Sequence, residues 1–512
     1  MNKFKYILQI ALTIGAIFLL PTFIMAQKNI LELLPGSEKL GYNEKTGAHR
    51  LVGSVNFNYQ GNTMYCDSAH YFEKTKEVRA YGNVHITKEE INLFCDSLYY
   101  NGKTKKAKLW GHVRVRDLEY KLTTDTLEYD TNKSKGTYRY GGKVESITSK
   151  EVLTSRVGYF YPESKSFFFS GKVKYKNEDL SMTTDTLQYI YAKKTTYFYG
   201  PTNIVKGKTK MFCERGWYNV ETQEGSLLKN AKIIEESKII KGDTLLYQPG
   251  KGQSIGKGHV YFRDTTESIE FYGDYAINSD KNHYSFLTGH VLAVKVQKKD
   301  TIYIHADTLY NQNDTLGKAL YSKGYRNVKI FNSSIQAICD SLIFDQPKGK
   351  LELYFNPIVW AQNAELKGEK MDIFLNDTLI EKVLITNDAT AIMEIDSGLY
   401  YNQIAGKEIT AFFKENQLIR ADVNGTAKTI FFPENEEKTD TTVTVKRVGM
   451  NRLYASDLRI YLDSGEVRGI TYFDKPDGVF YPMNKIKKEE QFISNFSWKA
   501  FLRPKSWLEI IH

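Results

Sequence analysis

One short motif recurs at a nearly constant interval along most of this chain, and this regularity constrains the fold more than any other feature. Its clearest copy, TDTL, occupies residues 124–127. Counted at the Asp position, thirteen copies begin at residues 67, 96, 125, 155, 185, 214, 243, 274, 307, 340, 369, 407 and 456. The interval is 29 to 33 residues as far as residue 369 and then 38 and 49. Such a period predicts stacked repeats, each packing on its neighbours, rather than separate globular domains.

A second motif, Gly-x-Val, lies between successive copies and divides each repeat into two strands. Its copies begin at Gly53, Gly82, Gly111, Gly142, Gly171, Gly258 and Gly289. Strands of about ten residues with alternating side chains flank it, and polar turns such as residues 101–103 join them. Aromatic residues are 13% of the chain, which suits strands, and no segment has a helical period. We therefore expect an all-β fold of about thirteen two-strand repeats.

Apolar residues keep fixed places relative to the repeated Asp. Every copy has one three positions before the Asp, and most have one two positions after it. These places are five residues apart, and in a flat strand an odd separation puts side chains on opposite faces. If both face inward, the strand must bend or bulge between them. The predicted inner row comprises Leu93, Leu122, Met182, Met211, Ile240, Leu98, Leu127, Val157, Leu187, Leu245, Leu309 and Leu342.

The residue before the Asp is always small, which is typical of a bend. An Asp at a bend can bond local backbone, so we interpret the repeated Asp as a structural corner. Each repeat would then contribute to two facing sheets that enclose an apolar slot. At one strand per sheet and about 4.8 Å per strand, thirteen repeats make an elongated stack of roughly 60 Å. The corner residues are Asp67, Asp96, Asp125, Asp185, Asp243, Asp307 and Asp340.

The two ends of the chain differ from the repeats. An uncharged run at residues 6–26 follows Lys3 and Lys5, which predicts a signal peptide at residues 1–26 and export from the cytoplasm. A retained membrane anchor is the alternative. Repeats occupy residues 27–480, with a charged loop at 433–450, and residues 481–512 form a basic, aromatic tail that we expect to dock or cap.

The repeated Asp and the histidines raise catalytic and metal-binding roles beside structural ones. A row of Asp is compatible with a metal stripe or paired carboxylates, but an active site needs a unique constellation and this Asp recurs. One repeat position is filled in turn by His112, His259, His290, Asn83, Lys143 and Lys172, which indicates a solvent face. The chain has no nucleophile elbow, phosphate loop or zinc-protease motif. We expect no enzymatic activity, no metal and no cofactor.

Two residue sets leave alternatives open. Cys66 and Cys95 hold the same corner position one repeat apart, so stacking would bring them near each other, and the sequence leaves their disulfide undecided. A row of Tyr follows four residues after the Asp, and it suits either the edge of a core or the mouth of a lipid groove. These are Tyr71, Tyr100, Tyr129, Tyr159, Tyr189, Tyr218 and Tyr247.

The repeat resembles that of a known family. Residues 240–247, IKGDTLLY, are followed by GHVYF at 258–262, and residues 122–129, LTTDTLEY, by GKV at 142–144. This pattern is similar to the OstA-like family of LptA-type periplasmic lipopolysaccharide-transport proteins, and the long OstA-like proteins of Bacteroidota look nearest in length. The resemblance covers residues 45–345 best. It implies an open, twisted β-jelly roll that holds acyl chains between its sheets.

The resemblance implies a function and partners. We expect a periplasmic, lipid-binding transport protein that carries lipopolysaccharide toward the outer membrane. Its partners would be lipopolysaccharide or a related lipid, and inner-membrane-anchored and outer-membrane translocon components of the same transport system. End-to-end self-association stays open, because the chain is about three times as long as the short members. We expect no nucleic-acid partner; the net charge of +10 favours acidic partners without naming one. A purely structural or surface β-solenoid is the alternative.

Overall fold

The computed structural model describes residues 32–511 apart from 60, 299, 377–378, 439–442 and 464–465. The predicted signal peptide lies outside these residues. The described chain is almost entirely antiparallel β-structure, which confirms the predicted all-β class and agrees with a β-jelly roll. Its helical elements are single 3-10 turns, and no described helix is long and apolar enough to cross a membrane.

The chain forms two compact units, which meet in sequence between Glu178 and Asp179. Strands of the first unit are β1 Glu32–Leu34, β2 Lys39–Asn43, β3 Ala48–Tyr59, β4 Asn62–Phe72, β5 Glu77–Lys88, β6 Ile91–Asn101, β7 Lys106–Arg116, β8 Tyr120–Asp130, β9 Lys135–Tyr138, β10 Gly142–Ser146, β11 Val152–Ser155, β12 Val157–Tyr161 and β13 Ser166–Lys176.

The second unit holds the remaining strands and the 3-10 turns. Its strands are β14 Leu180–Ile190, β15 Thr195–Phe198, β16 Thr202–Lys206, β17 Thr209–Cys213, β18 Arg215–Asn219, β19 Gly225–Glu235, β20 Lys238–Gln248, β21 Gln253–Asp264, β22 Ile269–Ser279, β23 Tyr284–Val296, β24 Thr301–Asn313, β25 Ala319–Phe331, β26 Ile335–Asp345, β27 Lys350–Tyr354, β28 Ile358–Ala361, β29 Ala364–Lys367, β30 Lys370–Asn376, β31 Leu379–Ile395, β32 Tyr400–Lys414, β33 Gln417–Phe431, β34 Glu434–Lys438, β35 Val443–Arg447, β36 Gly449–Asp463, β37 Glu466–Phe473 and β38 Asp477–Pro482. Its turns are Tyr191–Lys193, Pro249–Lys251, Asp396–Gly398, Met483–Lys485, Lys488–Gln491, Ala500–Leu502 and Trp507–Ile510.

Most strands cross a bulge near their middle, where the repeated Asp faces the Gly-x-Val motif of the next strand. Between β4 and β5, for example, the pairing jumps from Tyr65–His85 to Ser68–Tyr81. Side-chain parity changes there, so Cys66 and Ala69 are both buried although they are three residues apart. Some crossings are broken outright into two short strands, as β9 and β10 are. The predicted bend at the corner is thus present.

Each unit therefore has two facing walls. One wall, the N-wall, consists of the strand halves that precede the corner Asp and the halves of neighbouring strands that pair with them. The other, the C-wall, consists of the halves that follow the corner Asp and their paired neighbours. An unbroken row of direct cross-strand pairs runs along the inner side of the N-wall in the second unit, through Ile233, Ile240, Phe262, Phe271, Ala293, Ile304, Ile330 and Ala337. A matching row on the C-wall contains Leu227, Leu245, Gly256, Ala276, Leu287, Leu309, Gly324 and Leu342.

One repeat copy lies one residue away from its predicted place. Ser155 pairs with Gly142, which also pairs with Thr124, so Ser155 takes the small corner position and Arg156 the Asp position. The apolar places then fall on Leu153 and Gly158, both buried, rather than on half-buried Val152 and Val157. Apolar residues on either side of the true positions made the shifted alignment look equally good.

The predicted rise per repeat is wrong. Both strands of a repeat run through both walls, so each repeat adds two strands to each wall rather than one. At about 4.8 Å per strand, one repeat advances the wall by about 9.6 Å. Equivalent corners are therefore two strands apart, which matters for the cysteines below.

Polar side chains fix the tight turns between strands. The Asn101 side-chain oxygen accepts hydrogen bonds from the backbone N–H groups of Lys103 and Thr104, both at 3.0 Å. Asn219 caps the turn after β18 in the same way, at 2.9 Å to each of two N–H groups. Such turns bind their own backbone, which is why Asn and Asp are favoured there. Within the segment predicted as a charged loop, β34 and β35 pair as a two-stranded hairpin.

The tail docks on the second unit as a strap, which we define as residues 486–511. It runs across the outer side of the N-wall, opposite in direction to the order of the strands. The Trp507 ring stacks on Tyr303 with centroids 5.4 Å apart, and the Arg503 guanidinium donates to the Gln336 side chain at 2.6 Å. The strap thus covers the outer face of the N-wall, whose side chains alternate along each strand with those of the inner row.

A fully buried carboxylate anchors the middle of the strap. Glu365 accepts hydrogen bonds from the Trp360 indole and from the backbone N–H of Lys499, both at 2.9 Å. The Lys367 ammonium lies 2.9 Å from its other oxygen. Trp360 is also fully buried. A buried charge needs such partners, because leaving it unpaired costs several kcal/mol, roughly 3 to 5.

Candidate functional site

The slot between the walls is closed on one side by the row of corners. Each corner Asp is exposed, and the residue before it is buried. Asp67 accepts a hydrogen bond from the Asn83 amide at 2.9 Å, and the same geometry joins Asp96 to His112 at 2.7 Å and Asp243 to His259 at 2.9 Å. The middle residue of Gly-x-Val is therefore the partner of the Asp one strand earlier.

The glycine of that motif is required by geometry. At Gly82 the backbone has φ +77°, and a Cβ there would lie 2.3 Å from the Asp67 carboxylate. Asn83 also has a positive φ, of 45°. The pairing explains why the variable position accepts Asn and His, which bind the Asp. Gly142, in contrast, is not left-handed; Gly141 holds the positive φ of 101° in that copy.

Most predicted inner-row residues point into the slot and are buried. The buried ones are Leu98, Leu122, Leu127, Met182, Leu187, Met211, Leu245 and Leu342. Leu93, Ile240 and Leu309 are half-buried, and Val157 lies outside the row for the reason given above. The C-wall row is thus almost fully covered, whereas the N-wall row is covered in some segments and accessible in others.

Two segments of the slot hold accessible apolar side chains. In the first unit, Met64, Ile86 and Leu93 form consecutive inward pairs and are half-buried. In the second unit the same holds for Ile233, Ile240, Phe262 and Phe271, and Ile304 is half-buried beyond the buried Ala293. The core beneath the latter is small, built on Val260, Leu287 and Val291. Apolar surface that faces an interior without being buried is typical of a ligand-binding site.

Aromatic side chains fill the slot of the first unit in the segment from β8 to β13. The Tyr138 ring occupies the space above Gly158, where a Cβ would lie 2.3 Å from the ring, and its hydroxyl bonds Ser155 at 2.7 Å. Phe167 reaches across to Tyr120, with centroids 5.8 Å apart. The gap that remains there measures only about 10 Å³ and is lined by Val115, Asp117, Tyr120, Leu122, Phe160 and Phe167.

A buried Glu supports this aromatic segment, and sequence reasoning missed it. Glu151 is 8% exposed and accepts hydrogen bonds from the hydroxyls of Tyr120 at 2.7 Å and Tyr175 at 3.3 Å. It occurs in the shifted repeat, so the mistaken alignment placed it outside the slot. A run of Phe at residues 167–169 was the available signal for dense packing.

The Tyr row divides into two environments. Tyr189 and Tyr218 are buried, whereas Tyr71, Tyr100, Tyr129 and Tyr247 are half-buried at the inner side of the C-wall. Burial raises the pKa of Tyr218 to about 12. Because the copy at Ser155 is shifted by one residue, Tyr159 does not belong to the row, and Phe160 takes its place. The row is core in one segment and groove lining in others.

The disulfide left open by the sequence is absent. All four cysteines are buried free thiols. Cys66 lies on β4 and Cys95 on β6, with β5 between them, so their strands are about 9.6 Å apart. A disulfide requires less than about 7 Å between Cα atoms. Burial raises the pKa of each thiol to about 12.

The corner side chains do not form a metal site. Among the residues that the structure describes, no group of three or more His, Cys, Asp and Glu is placed to hold a metal ion. Each Asp–His pair is isolated from the next, because successive corners are two strands apart. Asp185 and Asp340 bond only the hydroxyl of the following residue, at 3.2 and 2.7 Å.

Comparison with known proteins bears on the identity of the chain. The sequence model of the family described as OstA-like protein matches residues 33–185 and 172–243. No curated protein matches the chain. One similar solved structure is LptH from Pseudomonas aeruginosa, titled the LptA-homologous periplasmic component of the lipopolysaccharide transport device. It is 13% identical, covers 28% of this chain and 80% of its own, and has a TM-score of 0.15, too low to support an argument.

Proposed function

We propose, on the match of residues 33–243 to the OstA-like family model, that this protein binds lipid acyl chains between its walls and takes part in lipopolysaccharide transport through the periplasm. One observation carries the proposal. Apolar side chains of the N-wall face the slot yet stay half-buried at Met64, Ile86 and Leu93, and again at Ile233, Ile240, Phe262, Phe271 and Ile304. An acyl chain would cover this surface at roughly 25 cal/mol per Å² of apolar area removed from water.

The filled aromatic segment limits where cargo can sit. Tyr138 and Phe167 occupy part of the slot of the first unit, so within that unit an acyl chain would lie in the accessible segment at Met64, Ile86 and Leu93 rather than among these rings. Movement past Tyr138 would require the ring to leave its place above Gly158. The protein would act by binding and handing over, without chemical change to the lipid.

The proposed location is the periplasm or the periplasmic face of the outer membrane. Inner-membrane-anchored and outer-membrane components of the transport system are the proposed partners, together with the lipid itself. The direction of movement toward the outer membrane and the identity of the lipid as lipopolysaccharide rest on the family resemblance alone.

A structural scaffold is the second candidate, and one observation favours it. From Ala306 to Ile460 the inner residues of both walls join in one continuous buried cluster. Side chains of the chain itself thus fill that part of the slot. In a scaffold, the accessible segments would be uneven packing rather than binding surface.

The test is lipid binding by the delipidated full chain. A fluorescent fatty acid would be titrated in and displaced by purified lipopolysaccharide, with Ile240→Glu as the slot variant. Lys241→Glu is the matched control, since Lys241 follows on the same strand and is exposed. We expect saturable binding that Ile240→Glu weakens and Lys241→Glu leaves unchanged. Absence of binding by the folded wild type would favour the scaffold.

A further inference from the structure

One segment of the slot has a polar inner wall. The inward row four residues beyond the corner is aromatic at Tyr247 and again at Phe344. Between them, direct cross-strand pairs connect five hydroxyl or amide side chains on successive strands, namely Ser254, Asn278, Ser285, Asn311 and Ser322. Five adjacent strands span about 19 Å. The row therefore forms a polar stripe on the inner side of the C-wall.

One row on the outer side of the same strands is mostly apolar. Residues next to the polar stripe in sequence, and thus on the opposite face, include Ile255, Ile277, Phe286 and Tyr310, all half-buried. Ordinary patterning places polar side chains outside and apolar ones inside, and these two adjacent rows do the reverse. Such reversals of local patterning are expected where function requires them.

The polar stripe is partly organised by its own hydrogen bonds. The Ser322 hydroxyl donates to the Asn311 oxygen at 2.7 Å, and the Asn311 amide donates to Asn313 at 2.7 Å. The Asn278 amide donates to Asp280 at 2.7 Å. An Asn side chain offers two donors and an acceptor with two lone pairs, so these contacts leave capacity for a ligand.

The wall across the slot is apolar. Ile240, Phe262, Phe271 and Ile304 belong to the inner row of the N-wall, and Phe271 packs on the small core that contains Leu287. A ligand here meets hydrocarbon on one side and neutral hydrogen-bonding groups on the other. The stripe itself carries no cation, so it does not suit a phosphate.

We propose that this segment, residues 240–322, binds the part of an amphiphile where hydroxyl or amide groups sit on or beside the acyl chain. The inference rests on the proposed lipid-binding function and names the chemistry that one segment selects. Hydroxyl and amide groups of the ligand bond the polar stripe, and the hydrocarbon packs on Phe262 and Phe271. In the free protein Asn278 is exposed and the other four stripe residues are half-buried. A plain alkyl chain would cover them without giving them a hydrogen-bond partner, which is costly for polar groups removed from water.

The experiment compares two probes that differ by one hydroxyl. Hexadecanoic acid and 3-hydroxyhexadecanoic acid would each displace a fluorescent fatty acid from the delipidated full chain. The wild type should bind the hydroxy acid about five- to tenfold more tightly, as expected for one net hydrogen bond. Asn278→Leu with Asn311→Leu should abolish this preference, while Gln253→Leu, the same type of change on the outer face, should keep it.

Each outcome is decisive. Equal binding of the two acids by the wild type, or a preference that survives in a folded double variant, overturns the proposal. If the double variant does not fold, as judged by circular dichroism, the wild-type ratio and the Asn278→Leu variant decide instead. Binding of neither acid by the wild type would count against lipid binding itself, and that failure is distinct from loss of selectivity.

Discussion

Phe271 offers the sharpest test of where the acyl chain lies. It is half-buried on the N-wall, opposite Phe262 with ring centroids 6.0 Å apart, and it packs on the small core around Val260. Tyr272 follows it on the same strand but points outward and is 39% exposed. Replacing each by Ala changes the slot in one case and only the surface in the other.

The expected effect follows from the exposed part of the ring. A Phe side chain buries about 200 Å² in full, and at most about a third of this ring is exposed, so a ligand can cover about 70 Å² of it. At about 25 cal/mol per Å², and allowing for the Cβ that Ala retains, Phe271→Ala should cost about 1.4 kcal/mol of binding. That corresponds to a roughly tenfold rise in Kd.

Fluorescent fatty-acid titration of delipidated protein measures this change directly, with thermal melts to confirm that both variants are folded. Tyr272→Ala should bind within about twofold of the wild type. If Phe271→Ala also stays within that range, or if both variants lose affinity equally, acyl chains do not lie on this part of the N-wall.

Three further predictions concern the corners and the thiols. Gly258→Ala should lower stability in urea by about 1 to 2 kcal/mol, because its φ is +67° and the new Cβ would meet the Asp243 carboxylate at 2.2 Å, while Gly250→Ala, with nothing within 4 Å, should not. Asp243 raises the pKa of His259 above its usual value through a hydrogen bond. The charged pairing is therefore complete below the usual histidine pKa and is lost as pH rises through the raised pKa. An NMR titration of His259 should show the raised pKa, and Asp243→Asn should remove the shift. Thiol reagents should modify the native protein slowly and the unfolded protein fully, and non-reducing peptide mapping should find no disulfide, since burial raises the pKa of every cysteine to about 12 (Cys66, Cys95, Cys213 and Cys339).

The repeat made the class of fold and most of its register predictable. With thirteen copies, a position that is apolar in most of them stands out despite local exceptions. Residues such as Leu127 and Met182 could therefore be assigned to the inward rows from the sequence alone. The corner was also predictable, because two apolar places five residues apart cannot share a face of a flat strand. The hydrogen-bond partner of the corner Asp was not predictable, because spacing alone does not reveal that Asp67 meets Asn83 on the next strand.

What the repeat could not give are features that occur once. The shifted copy at Ser155 escaped notice because Val152 and Val157 imitate the pattern. The number of strands per wall was misjudged, since a sequence does not show whether both strands of a repeat pass the bend. The polar stripe was visible in principle, because the Tyr row stops at Tyr247 and Asn278 and Asn311 take its place.

The strap has a consequence for the order in which the protein can be completed. Strands pair with neighbours close in sequence, so each can close on the one before it as the chain appears. The strap contacts are different: Lys499 meets Glu365 across 134 residues, and Arg503 meets Gln336 across 167. Distant contacts of this kind form late, because the intervening chain must first be in place. Until the strap arrives, Glu365 lacks the Lys499 N–H and Tyr303 lacks the Trp507 ring, and uncovered surface of this kind attracts chaperones and aggregation. The last step of assembly therefore seals the outside of the second unit rather than its slot.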